Sequence, residues 1–409
     1  MSSIKEHFEI PGRYKQWSIG LMAVGLLSLI IGFAVYGGSN DEHGTRFWAA
    51  LLQNSVYFLL VVNAAMFFFA ANTLGMAGWI LGLRRVTEAI SAAVIPIGVI
   101  TFVILMCLVF GGHSALYEWI DKDAVTKDAV LRGKSGFLNP TFFSVYTILT
   151  IGLWTVLGWK LRDLSRSLDN APLVSIEEGK KYIFKNTVWA AIYIVWFALT
   201  VASVAPWLWL MSINAHWFST MYSWYTFAST FVAGVALITI FVIYLKNQGY
   251  LEYVNQEHLH DLGKYLFAFS IFWTYVWFDQ FMLIWYANIS EETVYFKTRF
   301  EGAYQGVFYL NFIINFVAPL LILMKRGSKR NYATVTFMCV LLLFGHWLDF
   351  FQMVFPKPFP DRVPLNLFDF GIALGFVGLI MWQTARVLSK FPMLAKNHPF
   401  VKESIIHHT

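Results

Sequence analysis

The stretch "FWAALLQNSVYFLLVVNAAMFFFAANTL", Phe47–Leu74, runs for 28 residues without an Asp, Glu, Lys, Arg or His. A helix rises about 1.5 Å per residue, so about 20 such residues cross a hydrocarbon core about 30 Å thick. The stretch is predicted to be a membrane-spanning helix. The other nine predicted spans are Trp17–Tyr36, Val86–Phe110, Pro140–Leu161, Tyr182–Met211, Thr220–Leu245, Tyr265–Asn288, Tyr304–Met324, Ala333–Phe355 and Leu367–Leu388. Composition agrees: 58% of the 409 residues are hydrophobic and 13% charged, against about 25% charged in an ordinary soluble domain. The expectation is an all-α integral membrane protein, with a ten-helix domain over 17–388 between polar tails at 1–16 and 389–409.

The opening "MSSIKEHFEIPGRYKQ" is polar and the apolar run after it is long enough to be a retained span, so no cleaved signal peptide is expected. Lys and Arg accumulate in cytoplasmic loops. Placing both termini in the cytoplasm puts 21 of the 30 Lys and Arg residues on that side and nine on the other. The net charge of +6 is thus mostly topological. The basic residues are dispersed over helix ends, which argues against nucleic-acid binding.

Phosphate-binding loops of the GxxxxGK[ST] or GxGxxG type are absent from the sequence. Cys107 and Cys339 lie in different apolar runs and read as small buried hydrophobes, too few to hold an iron–sulfur cluster. Of the ten histidines only His346 lies deep in a span, and there is no CxxCH, so no haem is expected in this chain. The tail pair His407–His408 is too small a donor set to make a metal site by itself. The longest loop, between spans three and four, is expected to lie along the outer surface.

Ionisable groups at membrane depth are costly and tend to mark ion or substrate routes. Asp279, in "WFDQFMLIWYANISEE", lies fifteen residues after Lys264, roughly 22 Å along the helix. Tyr275 and Tyr286 share its face, and Gln280 points to a neighbouring one. On span nine His346 and Asp349 are three apart, and on span eight Asn311 and Asn315 are four apart, so each pair occupies one helix face. These groups have similar depth. Two readings stand: a proton path through Asp279, His346 and Asp349 with Tyr275, Asn311 and Asn315 orienting water, or polar pairs that only join helices. Nearer the cytoplasm, Asn72, Arg84 and Glu88 are read either as the opening of a water-filled route or as an interfacial anchor with snorkelling charges. Asp369 sits about one turn inside span ten, where water would solvate it. Pro206 is expected to end or kink span five. The rings of "SVAPWLWLMSINAHWFSTMYSWY", Ser203–Tyr225, fit an interfacial belt or a docking surface.

The segments "APWLWLMSINAHWFSTMYSWY" and "WTYVWFDQFMLIWYANISEETVYF", within a ten-span chain of this length, resemble the NrfD/PsrC-like family of membrane subunits. The likeness runs over nearly the whole chain and is nearest to the ActF-type branch found in alternative complex III, a bacterial quinol:cytochrome c oxidoreductase. It implies two four-helix bundles, spans two to five and six to nine, with the first and last spans peripheral. It also implies a non-catalytic, cofactor-free subunit supporting assembly and proton conduction in the bacterial inner membrane. The implied partners are a multihaem cytochrome c subunit, an iron–sulfur subunit, a larger NrfD-like quinol-binding subunit, membrane lipid and a terminal cytochrome oxidase; the haem c and iron–sulfur clusters belong to those partners. Quinone-binding members form their pocket near the outer end of the first bundle. Here the matching spans offer Asn54, Asn63 and Asn72 but no deep His or Asp, so quinol oxidation is assigned to the larger sister subunit. The rival expectations are a quinol-binding subunit, a pure scaffold and a free-standing transporter.

Overall fold

A computed structural model describes residues 6–37, 41–169, 173, 175–395 and 397–408. Ten helices in it are long and apolar enough to span a membrane: α1 Gly12–Tyr36, α2 Glu42–Leu74, α3 Arg84–Phe110, α4 Pro140–Arg166, α5 Ile176–Trp209, α6 Met221–Asn247, α7 Gln256–Ala287, α8 Gly302–Leu323, α9 Tyr332–Val354 and α10 Leu367–Leu388. Several begin before the apolar run because polar caps set the true ends. Ser175 and Glu178 cap α5 reciprocally, so that it starts at Ile176, six residues before the predicted Tyr182. Asn255 and His258 do the same for α7, which therefore starts at Gln256, nine residues before the predicted Tyr265.

Helices α2, α3, α4 and α5 pack in cyclic order, as do α6, α7, α8 and α9, giving the two four-helix bundles. The bundles meet through α2 against α6 and α9. Consequently α2 and α6 are the interior helices, each with 83% of its apolar window buried, whereas α1 has 17%. Three side chains tie α2 to α9: Gln53 Nε2 donates to the Trp347 carbonyl (3.0 Å), Tyr57 to that of Leu343 (2.7 Å), and Trp347 Nε1 to Asn54 Oδ1 (2.8 Å).

Outside the bundles α1 pairs with α10. The contact is made by small residues, which let two backbones approach where apolar side chains gain nothing over lipid. A Cβ on Gly375 would stand 2.7 Å from Gly25 Cα, and one on Gly378 would stand 2.7 Å from the Met22 amide. Gly375→Leu is therefore expected to release α1 while the bundles stay folded. Protease digestion of reconstituted protein checks this: the N-terminal tail should become cleavable at an unchanged bundle melting temperature.

Both tails lie on one face. Phe8 donates its amide to the Leu388 carbonyl (3.2 Å), and Met393 to that of Glu6 (2.8 Å). Ser404 accepts from the Gly82 amide and donates to the Trp79 carbonyl, both at 2.9 Å. On the opposite face the long loop does not lie flat. Tyr117 and Trp119 are buried against Phe143 of α4, and the Tyr117 hydroxyl donates to the Trp209 carbonyl (2.7 Å), so the loop plugs the end of the first bundle.

Pro206 neither ends nor breaks α5. The preceding turn, Thr200–Val204, widens to a π-turn and the helix resumes through Trp209. The same device recurs in α8, where the π-turn Ile313–Val317 precedes Pro319. Proline lacks an amide hydrogen and its ring crowds the carbonyl four residues back, so a wider turn relieves both effects.

Candidate functional site

The second bundle encloses a carboxylate among neutral donors. Asp349 of α9 is fully buried. Its Oδ1 accepts from the Tyr225 hydroxyl of α6 and from Asn311 Nδ2 of α8 (3.0 Å), and its Oδ2 accepts from Trp273 Nε1 of α7 (3.0 Å). The other three helices of the bundle thus contribute one partner each to the carboxylate of α9. One turn away, His346 Nδ1 is 4.0 Å from Asp349 Oδ2 and shares a 3.0 Å hydrogen bond with Ser229 Oγ. Tyr225 and Ser229 are four apart on α6, so one face of that helix supplies both.

Asn315 donates to Asn311 Oδ1 at 2.6 Å. It belongs to the α8 π-turn, and it reaches α9 because Gly345 lacks a side chain: a Cβ there would stand 3.0 Å from Asn315 Cγ. Two buried atoms of the cluster, His346 Nε2 and Asn315 Oδ1, have no hydrogen-bond partner. On the other side, a cavity of about 10 Å³ is lined by Tyr225, Gln280, Arg299 and Gln352 among others. Gln280 Oε1 and Gln352 Nε2 are unpartnered, and a polar hole of this size suits one water. The cavity is closed by a ring stack in which Trp217 lies 3.8 Å from Tyr295 at 9°, with Arg299 3.5 Å over the same ring. Chemically, Ser229, His346, Asp349 and Tyr225 form a chain of proton-exchanging groups with room for water beside Tyr225.

Asp279 is not in this cluster. Helix α7 buries the stripe Leu266, Ser270, Trp273, Val276, Gln280 and Ile284. Asp279 is only partly buried, beside the exposed Tyr275, and Tyr286 is 84% exposed. Among the described residues no hydrogen bond or ion pair joins Asp279 to Asp349. The cluster centres on Asp349, and Tyr225, Trp273 and Ser229 take the places expected of Asp279 and Tyr275. The aromatic segment before α6 also differs from expectation: Trp209, Trp217, Tyr222 and Tyr225 are buried core, while Phe218 and Trp224 are exposed. Cys107 is exposed rather than buried.

A second polar centre lies in the first bundle, at the end nearest the tails. Glu88 is fully buried; it accepts from Arg85 Nη1 at 2.9 Å and from Ser165, and lies 3.4 Å from both Arg84 and Arg166. Arg85 also pairs with Asp169, and Arg162 donates to Ser91 Oγ at 3.1 Å. These charges are inside the fold and do not snorkel, which sets aside the interfacial-anchor reading. Asn72 and Arg84 line an adjoining cavity of about 30 Å³. The other two asparagines of α2 are committed elsewhere: Asn54 Oδ1 accepts from Trp347 Nε1 (2.8 Å) and Asn63 Oδ1 from the Tyr193 hydroxyl (2.6 Å). Asp369 is likewise buried, paired with Arg46.

The tail covers the second centre through His398, packed edge-on to Tyr182 at 5.6 Å. Burial, then the nearby Arg84 and Arg85, push its pKa down from 6.5 to about 3, with Glu88 opposing. The undocked imidazole takes up a proton near 6.5 and the docked one does not, so docking is strongest above pH 6.5 and weakens as pH falls toward 3. Protection from hydrogen exchange over residues 397–408, taken relative to the intrinsic rate at each pH, should fall between pH 7.5 and 5, and His398→Asn should remove most of that dependence.

The ten spans and the two buried polar centres define an all-helical, multi-pass membrane protein. No protein-family model matches the chain, and no curated protein is similar to it in sequence.

Proposed function

We propose that this chain is a cofactor-free membrane subunit of a bacterial quinol:cytochrome c oxidoreductase of the alternative complex III type, in which the Asp349 cluster conducts protons. The observation that carries the proton role is a fully buried carboxylate on α9, held by neutral donors from the other three helices of the bundle and adjoined by a histidine whose Nε2 has no partner among the described residues. A site built only to join helices has no use for a charge with no cation bonded to it, since burying one costs several kcal/mol. The assembly role rests on the resemblance of the two aromatic segments and on the pairing of two four-helix bundles. In this reading both termini face the cytoplasm of a bacterial inner membrane, the tail-side arginine centre is the inlet, and Tyr225 and the Arg299 plug lie toward the outside. The multihaem cytochrome c, the iron–sulfur protein and the larger quinol-binding subunit carry the electrons.

Two experiments test this. Mild-detergent purification of the tagged native chain, with mass spectrometry and a visible spectrum, should recover a multihaem cytochrome c and an iron–sulfur protein in stoichiometric amounts; a colourless isolated chain overturns the assembly role. In the assembled complex, Asp349→Asn should slow proton movement by about tenfold or more, whereas Asp279→Asn should leave it unchanged. Loss of assembly alone, with normal proton movement in the complex that remains, favours the scaffold reading.

A further inference from the structure

The arginine centre contains more cations than its carboxylates neutralise. Among the described residues the carboxylates that pair with Arg84, Arg85 and Arg166 are Glu88 and Asp169, and Arg162 stands beside them bonded to Ser91. Arg85 is shared between the two acids, while Arg84 and Arg166 approach Glu88 at 3.4 Å, and Arg162 has no carboxylate partner among the described residues. Arg84 and Arg162 are 3% and 5% exposed, so bulk water does little to screen the surplus.

Arg84 is the member turned to open space. Its guanidinium lies 4.6 Å over the Phe69 ring, and its Nη2 has no hydrogen-bond partner among the described residues. It lines the cavity of about 30 Å³ together with Asn72, Tyr182, Asn186 and His398. Asn186 Oδ1 is also unpartnered, its amide nitrogen being committed to the Tyr182 carbonyl at 2.9 Å. A buried donor left without an acceptor is costly, and a buried unneutralised cation more so. A volume of this size takes two small particles and is too small for a phosphate with its substituent.

We infer that the cavity binds one halide-sized anion on Arg84, with a water bridging the anion to Asn186 Oδ1. The anion accepts from the free guanidinium donor and offsets the surplus charge; the water donates to both acceptors. Phe69 supplies an apolar wall, which suits a weakly hydrated anion over a carboxylate. Because His398 lines the same cavity, occupancy couples to docking of the tail: an anion there offsets the arginines' opposition to protonating the docked imidazole, so the tail stays docked to lower pH.

The test uses the purified full chain, exchanged into sodium gluconate and titrated with sodium bromide at constant ionic strength. Crystals grown in bromide and measured at the bromine absorption edge should show an anomalous peak within hydrogen-bond reach of Arg84. The melting temperature should rise saturably with bromide. Arg84→Gln should raise the midpoint of that rise by about tenfold or more, the loss of one charge-assisted contact, while Arg84→Lys retains part of it. Peaks only at exposed surface sites, or an undiminished response in Arg84→Gln, overturn the inference. The anomalous map on the unaltered chain keeps it testable if the variants do not fold.

Discussion

Glu88→Ala is expected to prevent accumulation of folded protein. The side chain holds Arg85, Arg84, Arg166 and Ser165 together at the junction of α3 and α4. Without it Asp169 alone faces four arginines. Removing one partner of a buried ion pair costs about 3–5 kcal/mol, and here several cations lose the same partner. That is a large part of a typical stability of about 5–15 kcal/mol. The readout is the monodisperse fraction after detergent extraction, with the melting temperature of whatever survives. Arg162→Gln removes a cation that has no carboxylate, so in the Glu88→Gln background it should restore part of the yield. If Glu88→Ala extracts and melts like the unaltered protein, the charge account of this centre is wrong.

A comparable loss is expected from Arg46→Ala on the opposite face. Arg46 at the start of α2 bonds to Asp369 at the start of α10; its Nε donates to the Pro364 carbonyl (2.8 Å) and its Nη2 also to Asn366 Oδ1 (3.2 Å). Phe355 lies 5.0 Å from the guanidinium. Truncation leaves a fully buried carboxylate without its cation, at about 3–5 kcal/mol. An apolar pair of similar volume needs no such compensation, so Arg46→Met with Asp369→Leu should be distinctly more stable than Arg46→Ala. A thermal double-mutant cycle decides it: additive losses would mean that the two residues act independently.

The ten spans are legible because each is a long apolar run, and the termini share a face because ten crossings return the chain to its starting side. His346, Asp349, Asn311 and Asn315 are legible because i, i+3 and i, i+4 spacing fixes a shared helix face before any tertiary contact is known. Which way that face points is harder to read. Along α7 the lipid-facing Phe278, Leu283 and Trp285 are as apolar as the buried Trp273, Val276 and Ile284. Lipid and core reward the same side chains, so the pattern gives Asp279 no orientation, and membrane depth alone mistakes it for an interior group. Arg85, Arg162 and Arg166 are hidden for another reason: at a span end they read as topological charge, and only the approach of α3 to α4 makes them a cluster. Tyr225 is one ring among many in its segment, and nothing local distinguishes the hydroxyl that meets Asp349.

The three side-chain bonds between α2 and α9 constrain how the second bundle can respond to a change of charge. Trp347 sits between His346 and Asp349 in sequence and is fastened at both its indole nitrogen and its carbonyl. Turning α9 about its own axis would break these bonds and the one from Tyr57 together. Protonation at Asp349 is then met by reorientation of hydroxyls, amides and water around a stationary backbone. For the proton role proposed above, this predicts conduction at a rate set by local rotations, without rocking of one bundle against the other.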